Sequence, residues 1–259
     1  MSALFNFLQR NQIEQGRALP LVHSTEAYYI KKFMKTGRIA ATRCTFFTKE
    51  DLSYFFVGRP AYKRLVDTEA EYWELPICFI IDFKAVQVKR IFPFDSGAFK
   101  SALYPSYISM MDLNEFEVGQ DPHSVQKIVG TFFASNSKYF SLKPREKESF
   151  EAKFEVDVLN EEIKALHRLI GERNGKIDDR RFSIEIQSTK DTFLTPENVL
   201  AVVLPETYLE NDEVLNYVES NLNATLITYP IYPLNKTYYY YAIYEKVQHF
   251  FKNRGLFDV

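Results

Sequence analysis

The sequence predicts an α+β fold, and three observations carry that reading. Strict alternation in "RRFSIEIQSTKD" (residues 180–191) puts Phe182, Ile184 and Ile186 on one face of a strand and Ser183, Glu185 and Gln187 on the other. The runs "LPICFIIDF" and "ENVLAVVLP" are apolar without alternation, as strands covered on both faces are. Between such runs lie segments with helical spacing, and no strand–helix alternation surrounds a glycine-rich phosphate loop.

Taken in chain order, "ALFNFLQRNQIEQG" reads as a short amphipathic helix closed by Gly16. "ALPLVHST" is a strand that runs out into polar residues. "EAYYIKKFMKTGRI" follows as a helix with Tyr29, Ile30, Phe33 and Met34 on its stripe and Gly37 as its C-cap. "VQVKRIFPF" is expected beside "LPICFIIDF" as its antiparallel neighbour, and residues 95–121 read as loop-rich. Asp121 and Pro122 start a helix through "HSVQKIVGTFFASN". "ESFEAKFEVDV" alternates like a strand, although its Glu and Lys content leaves a helix open. "NEEIKALHRLIGERNG" is a helix capped by Asn160, with Gly175 beyond its end. After the alternating strand come the strand "ENVLAVVLP", the helix "NDEVLNYVESNL" and the strand "ATLITYPIYP". A last helix, "KTYYYYAIYEKVQHFFKN", stops at Gly255.

Length and composition suit one domain over residues 1–259, large enough for a substantial core. With 25% charged residues and a net charge of -2, no global basic field draws the chain to nucleic acid, so a polyanion would need a local patch. Cys44 and Cys78 sit in apolar-aromatic surroundings and read as reduced, buried thiols of a cytoplasmic protein. No segment reaches the ~18 apolar residues of a spanning helix, and the N-terminus does not read as a secretion signal. The 17 Tyr and 23 Phe read first as core, with a base-stacking surface or a partner interface as alternatives.

Four histidines, His23, His123, His167 and His249, show no metal-ligand spacing, so no metal is expected. His167 and His249 read as packing or surface residues and His123 as surface. His23 stands apart: "LVHST" places it where an apolar strand ends, followed by Ser24 and Thr25, and such ends hold ligand-binding groups on a fixed backbone. A two-histidine phosphoesterase would need a second H-x-[ST], and "HSV" at His123 fails at its third position. The simplest reading of Glu185 is a carboxylate on the wet face of a sheet.

Three segments in this order, "VHST" with the following helix and "KTGRI", then "DLSYFFVGRPAYK", then "RRFSIEIQS" with "VLAVVLP" beyond, resemble the ADP-ribosyltransferase fold over about residues 18–208. The nearest likeness is to the DarT-like toxins that modify single-stranded DNA. "FFASNSKYF" (residues 132–140) also resembles that family, with no role attached. The resemblance implies a split antiparallel β-sheet core with surrounding helices and a transfer of ADP-ribose from NAD+ to a macromolecule. It implies that Glu185 bonds the nicotinamide ribose and supports its cationic transition state, that His23 with Ser24 or Thr25 contacts the adenosine ribose, and that Tyr54 stacks on nicotinamide.

An arginine, Arg43 or Arg59, would pair with the pyrophosphate, and Tyr62 joins the cofactor-binding group. The loop before the tyrosine segment, "GRIAATRCTFF", is shorter than in the toxins. Substrate contacts are expected from Tyr104, Tyr107, His167 and Gln187, and a single-strand track from Lys63, Arg64, Lys89, Arg90 and Lys100. The acceptor would be a nucleic-acid base, in a toxin or anti-phage effector with a neutralising antitoxin as partner and no membrane. Two alternatives stand beside this: a non-catalytic nucleotide- or protein-binding module with the C-terminal helix as interface, and an RNA 2'-phosphotransferase, for which an arginine-rich phosphate cluster is lacking.

Overall fold

A computed structural model describes residues 1–13, 16–61, 71–172, 182–231 and 237–257. Ten strands are found among them: β1 (Leu21–Glu26), β2 (Arg38–Ile39), β3 (Thr42–Arg43), β4 (Asp51–Val57), β5 (Pro76–Ile81), β6 (Arg90–Phe92), β7 (Glu185–Ser188), β8 (Thr192–Phe193), β9 (Val199–Pro205) and β10 (Thr225–Tyr229). The α-helices are α1 (Ala3–Arg10), α2 (Ile30–Thr36), α3 (Ser96–Lys100), α4 (Ser106–Ser109), α5 (His123–Ile128), α6 (Asn136–Phe140), α7 (Lys147–Lys153), α8 (Glu161–Gly171), α9 (Asp212–Asn216) and α10 (Thr237–Asn253). The chain is therefore α+β.

The main sheet runs β10-β9-β5-β1-β4-β7-β6, with β3 added to β4, and β2 and β8 form a small second sheet. It is mixed rather than wholly antiparallel, because β9 and β10 pair in parallel around the α9 crossover. A sequence read for glycine-rich loops misses this βαβ unit, since its connection carries none. All six residues of β5 are buried, as its unbroken apolar run requires of a strand flanked by β1 and β9.

Four expectations need correction. The first helix ends at Arg10 with Asn11 as its C-cap, short of Gly16. The "VQVKRIFPF" segment does not lie beside β5: its β6 pairs with β7, at the other side of the sheet. Alternation in "ESFEAKFEVDV" does not make a strand. Residues 147–153 are α7, with Phe150 buried, so the helix-forming Glu, Lys and Ala prevail over a period-2 pattern. Asn160 does not cap α8 with its side chain; its Oδ1 accepts instead from the Asp157 amide. Gly37, at φ 60°, does end α2, and Gly255 follows α10 at φ 63°.

The feature that positions the site is the fork between β1 and β4. β1 pairs with β5 along its whole length but with β4 only at Leu21↔Val57 and Val22↔Phe56. Beyond Val22 the two strands part, and His23, Ser24, Thr25 and Glu26 become half-exposed. At the closed end, Gly58 turns the chain at φ 63° and its amide donates to the Pro20 carbonyl.

The "FFASNSKYF" segment acquires a role there. The Tyr139 hydroxyl accepts from the Ile184 amide at 3.0 Å and donates to the Val57 carbonyl at 2.9 Å, so a phenol extends the β4–β7 ladder. Phe132, Phe133 and Phe140 are core.

Candidate functional site

Register fixes which side chains meet. Across β4, β7 and β6, Phe56 stands opposite Glu185 and Glu185 opposite Phe92, while Tyr54, Gln187 and Arg90 form the next row. Strand alternation therefore puts Tyr54, Phe56, Glu185, Gln187, Arg90 and Phe92 on one face. Glu185 does not face water: it is 0% exposed, and so is Gln187. The wet-face reading fails because the chain after β6 returns over this face as α3, with Asp95 and Ser96 buried against it.

Donors reach both oxygens of Glu185. The Ser96 hydroxyl and the Gln187 amide each donate to Oε1 at 2.7 Å, and the Ser96 backbone amide reaches Oε2 at 3.3 Å. Gln187 also donates to Ser96 Oγ at 2.9 Å. Its carbonyl oxygen accepts from Arg90 Nε at 2.9 Å, which fixes the orientation of the amide. Arg90 grips Glu50 through Nη1 at 3.1 Å and Nη2 at 2.5 Å, and its guanidinium lies 4.2 Å from the Phe47 ring centre. Asp95 caps α3 by accepting from the Ala98 amide at 2.9 Å.

Tyr54 borders this network. Its hydroxyl lies 2.8 Å from Cys44 Sγ, and that sulfur also accepts from the amides of Phe46 and Phe47. Burial pushes the Tyr54 phenol well above its ordinary range, helped by the Cys44 bond and by the negative charges of Glu185 and Asp95. Tyr54 is thus a neutral phenol within electrostatic reach of two carboxylates.

His23 meets the site from the other side. Alternation turns it to the opposite face, where its ring packs against Phe33 and Phe55. Its Nδ1 lies 3.0 Å from the Tyr54 carbonyl, and since a carbonyl only accepts, Nδ1 carries the proton. Ser24 returns to the Val22 and Phe56 side, and its buried hydroxyl finds no hydrogen-bond partner among the described residues. Thr25 donates to Glu26 at 3.2 Å. The structure thus brings Glu185, Gln187 and Tyr54 together, and the His23 ring reaches this group at the Tyr54 backbone.

Arg59 is not available to a pyrophosphate. It is 2% exposed, donates to Ser183 Oγ at 2.9 Å and to the Phe140 carbonyl at 2.5 Å, and its guanidinium lies 5.1 Å from the Tyr244 ring centre. It ties the ends of β4 and β7 to α6 and α10. Arg43 is exposed on β3, with Asp51 at 3.5 Å. Tyr62, Lys63 and Arg64 lie outside the described residues.

The base-stacking expectation fails at Tyr104, which is buried among Phe94 and Phe99 with its hydroxyl on the Asp95 carbonyl. Tyr107 is half-buried: its hydroxyl donates to Glu172 at 2.7 Å, and Arg168 covers its ring at 4.0 Å. His167 is buried, stacked on Phe150 at 4.3 Å, and its Nε2 donates to the Arg145 carbonyl at 2.9 Å. It lines a cavity of about 780 Å³ between α7 and α8, together with Lys147, Lys164, Arg168 and Glu172. Lys100, from the expected strand track, donates to the Phe46 carbonyl and sits over Phe47.

Sequence reasoning missed Glu50, Asp95 and Ser96, and placed Arg90 on a nucleic-acid track. The pairing of β6 with β7 brings Arg90, Asp95 and Ser96 to the Glu185 face, and Glu50, just before β4, meets Arg90 there; no local pattern encodes that register. Among the described residues, no group of three His, Cys, Asp or Glu is disposed to hold a metal, and no helix is long and apolar enough to cross a membrane. Comparison of the chain with family models, with curated proteins and with solved structures returns no match.

Proposed function

We propose that this protein transfers ADP-ribose from NAD+ to a macromolecule, with Glu185 as the catalytic carboxylate. One observation carries the reading: a fully buried glutamate at the start of β7, with donors on both oxygens, shares a sheet face with Tyr54 beside the β1–β4 fork. Carboxylates buried with a fixed orientation are what a developing cation needs, because low dielectric strengthens their attraction and no reorganisation is required.

In the proposed reaction the nicotinamide–ribose bond breaks, its electron pair leaving with nicotinamide and positive charge remaining on the ribose. Glu185 accepts from a ribose hydroxyl, displacing the Gln187 amide, and stabilises that charge. A lone pair of the acceptor then forms the new bond at the same carbon, and the acceptor proton passes to Glu185. Tyr54, held neutral, offers a ring face to the nicotinamide, and Arg43 is the exposed arginine for the pyrophosphate.

A nucleic-acid base as acceptor, and a role as a toxin or anti-phage effector restrained by an antitoxin, rest on the resemblance to DarT-like toxins. Tyr104 and Tyr107 lend no support to base stacking. The complete burial of Glu185 favours a second reading, in which its network is structural and the protein is a non-catalytic binding module. Incubation with NAD+ separates the two: the enzyme releases nicotinamide, and Glu185→Gln stops the release. Absence of release with DNA, RNA and protein acceptors all present would leave the binding module.

A further inference from the structure

At the C-terminal end of β1 and the N-terminal end of β5, aromatic rings stand in the open. Three short turns meet there, Ala27–Tyr29, Tyr72–Glu74 and Glu206–Glu210. The Tyr72 and Tyr208 rings lie 6.0 Å apart, and the Tyr208 hydroxyl donates to the Ala27 carbonyl at 3.3 Å. On this base Tyr28, Tyr29, Tyr72, Trp73 and Leu209 are between 40% and 68% exposed. Tyr28 meets Tyr29 edge to face at 5.3 Å, and Tyr72 meets Trp73 in the same way at 5.1 Å. Single exposed rings are ordinary, but a contiguous group of them marks an interaction surface.

Charge decides the occupant. Glu71, Glu206 and Glu210 are exposed among these rings and none of the three turns contains Lys or Arg; Lys31 and Lys32, exposed on the adjoining α2, are outnumbered by these carboxylates. Carboxylates repel the phosphates of a nucleic acid or of an anionic membrane. They attract lysine and arginine side chains, whose cations also settle over the faces of Trp and Tyr rings. Tyr and Trp have few rotatable bonds, so ordering them on binding costs little.

We propose that this aromatic and acidic patch docks a partner protein through a segment carrying arginine or lysine. The inference is independent of the reading of Glu185. Trp73 is the only tryptophan in the chain, so its emission reports on this patch alone. Titration with a hexa-arginine peptide gives a saturable change in Trp73 emission that weakens with salt, and neither a hexa-glutamate peptide nor a thymidine oligonucleotide reproduces it.

Changing Glu71, Glu206 and Glu210 together to Gln weakens peptide binding about tenfold. Tyr28→Ala, which leaves every carboxylate in place, weakens it roughly two- to fivefold. The proposal is overturned by an unchanged Trp73 signal, by equal peptide affinity in the triple variant and the parent, or by a response to the oligonucleotide and not to the peptide.

Discussion

Glu185 owes its position to neighbours that hold it from two elements, and those neighbours make separate predictions. Ser96→Ala removes a hydroxyl from Oε1 but leaves the Ser96 amide and Gln187 in place. Losing one hydrogen bond to a charged group is expected to lower NAD+ turnover by about ten- to a hundredfold, with KM little changed, measured as nicotinamide release. Arg59 predicts the opposite pattern. Arg59→Met removes the bonds to Ser183 Oγ and the Phe140 carbonyl inside the core and should cost roughly 2–4 kcal/mol in denaturant melts. Its effect on NAD+ should not exceed the loss of folded protein. At this scale the sequence showed where Glu185 stands in its strand but not its surroundings. Alternation identifies the polar face, whereas burial of that face by Asp95 and Ser96 depends on a chain segment some ninety residues away. Arg43 and Arg59 could not be separated for the same reason, since only packing shows that Arg59 is enclosed.

Elements follow local chemistry where it is strong and depart from it where long-range pairing decides. Glycine ends α2 and turns the chain after β4, and the second of these is the stricter. A Cβ at Gly58 would lie 2.5 Å from Leu19 Cδ1 on a backbone at φ 63°. Gly58→Ala should therefore destabilise by roughly 2 kcal/mol or more, read as a fall in the urea midpoint at unchanged m-value. The packing of α7 on α8 makes a pH prediction. Burial lowers the pKa of His167, and the Lys147 charge adds to this, while its bond to the Arg145 carbonyl and the charges of Glu151 and Glu146 act the other way. The unfolded chain then takes up the proton first, near pH 6.5, so the contribution is complete above that pH. It is lost as pH falls from about 6.5 through the lower folded value. His167→Phe should flatten this part of the stability–pH curve, and an unchanged slope would show that His167 is not its source. Helices with a clear apolar stripe, such as α8, were legible in the sequence, whereas α7 was not, because seven residues of Lys, Glu, Ser, Ala and a single Phe fit either period.

At the scale of the whole molecule, one continuous core runs through the sheet and its helices, and the site lies where the sheet divides. The α+β class could be read from runs of apolar residues. The mixed strand order could not, because it depends on which strands meet across long stretches of chain, as β6 and β7 do. Register, and not this division, turns His23 and Glu185, both singled out as residues of a cleft, to opposite faces: Val22 stands opposite Phe56 and Phe56 opposite Glu185, so His23, next to Val22, falls on the other side. We propose that Glu185 drives transfer of ADP-ribose to a macromolecule. Its most direct test is the mass of separated DNA, RNA and protein fractions after incubation with NAD+ and either the parent protein or Glu185→Gln. Prediction: one fraction, nucleic acid, gains the mass of ADP-ribose with the parent and none does with the variant. No added mass in any fraction, or equal modification by the folded Glu185→Gln protein, would contradict the claim.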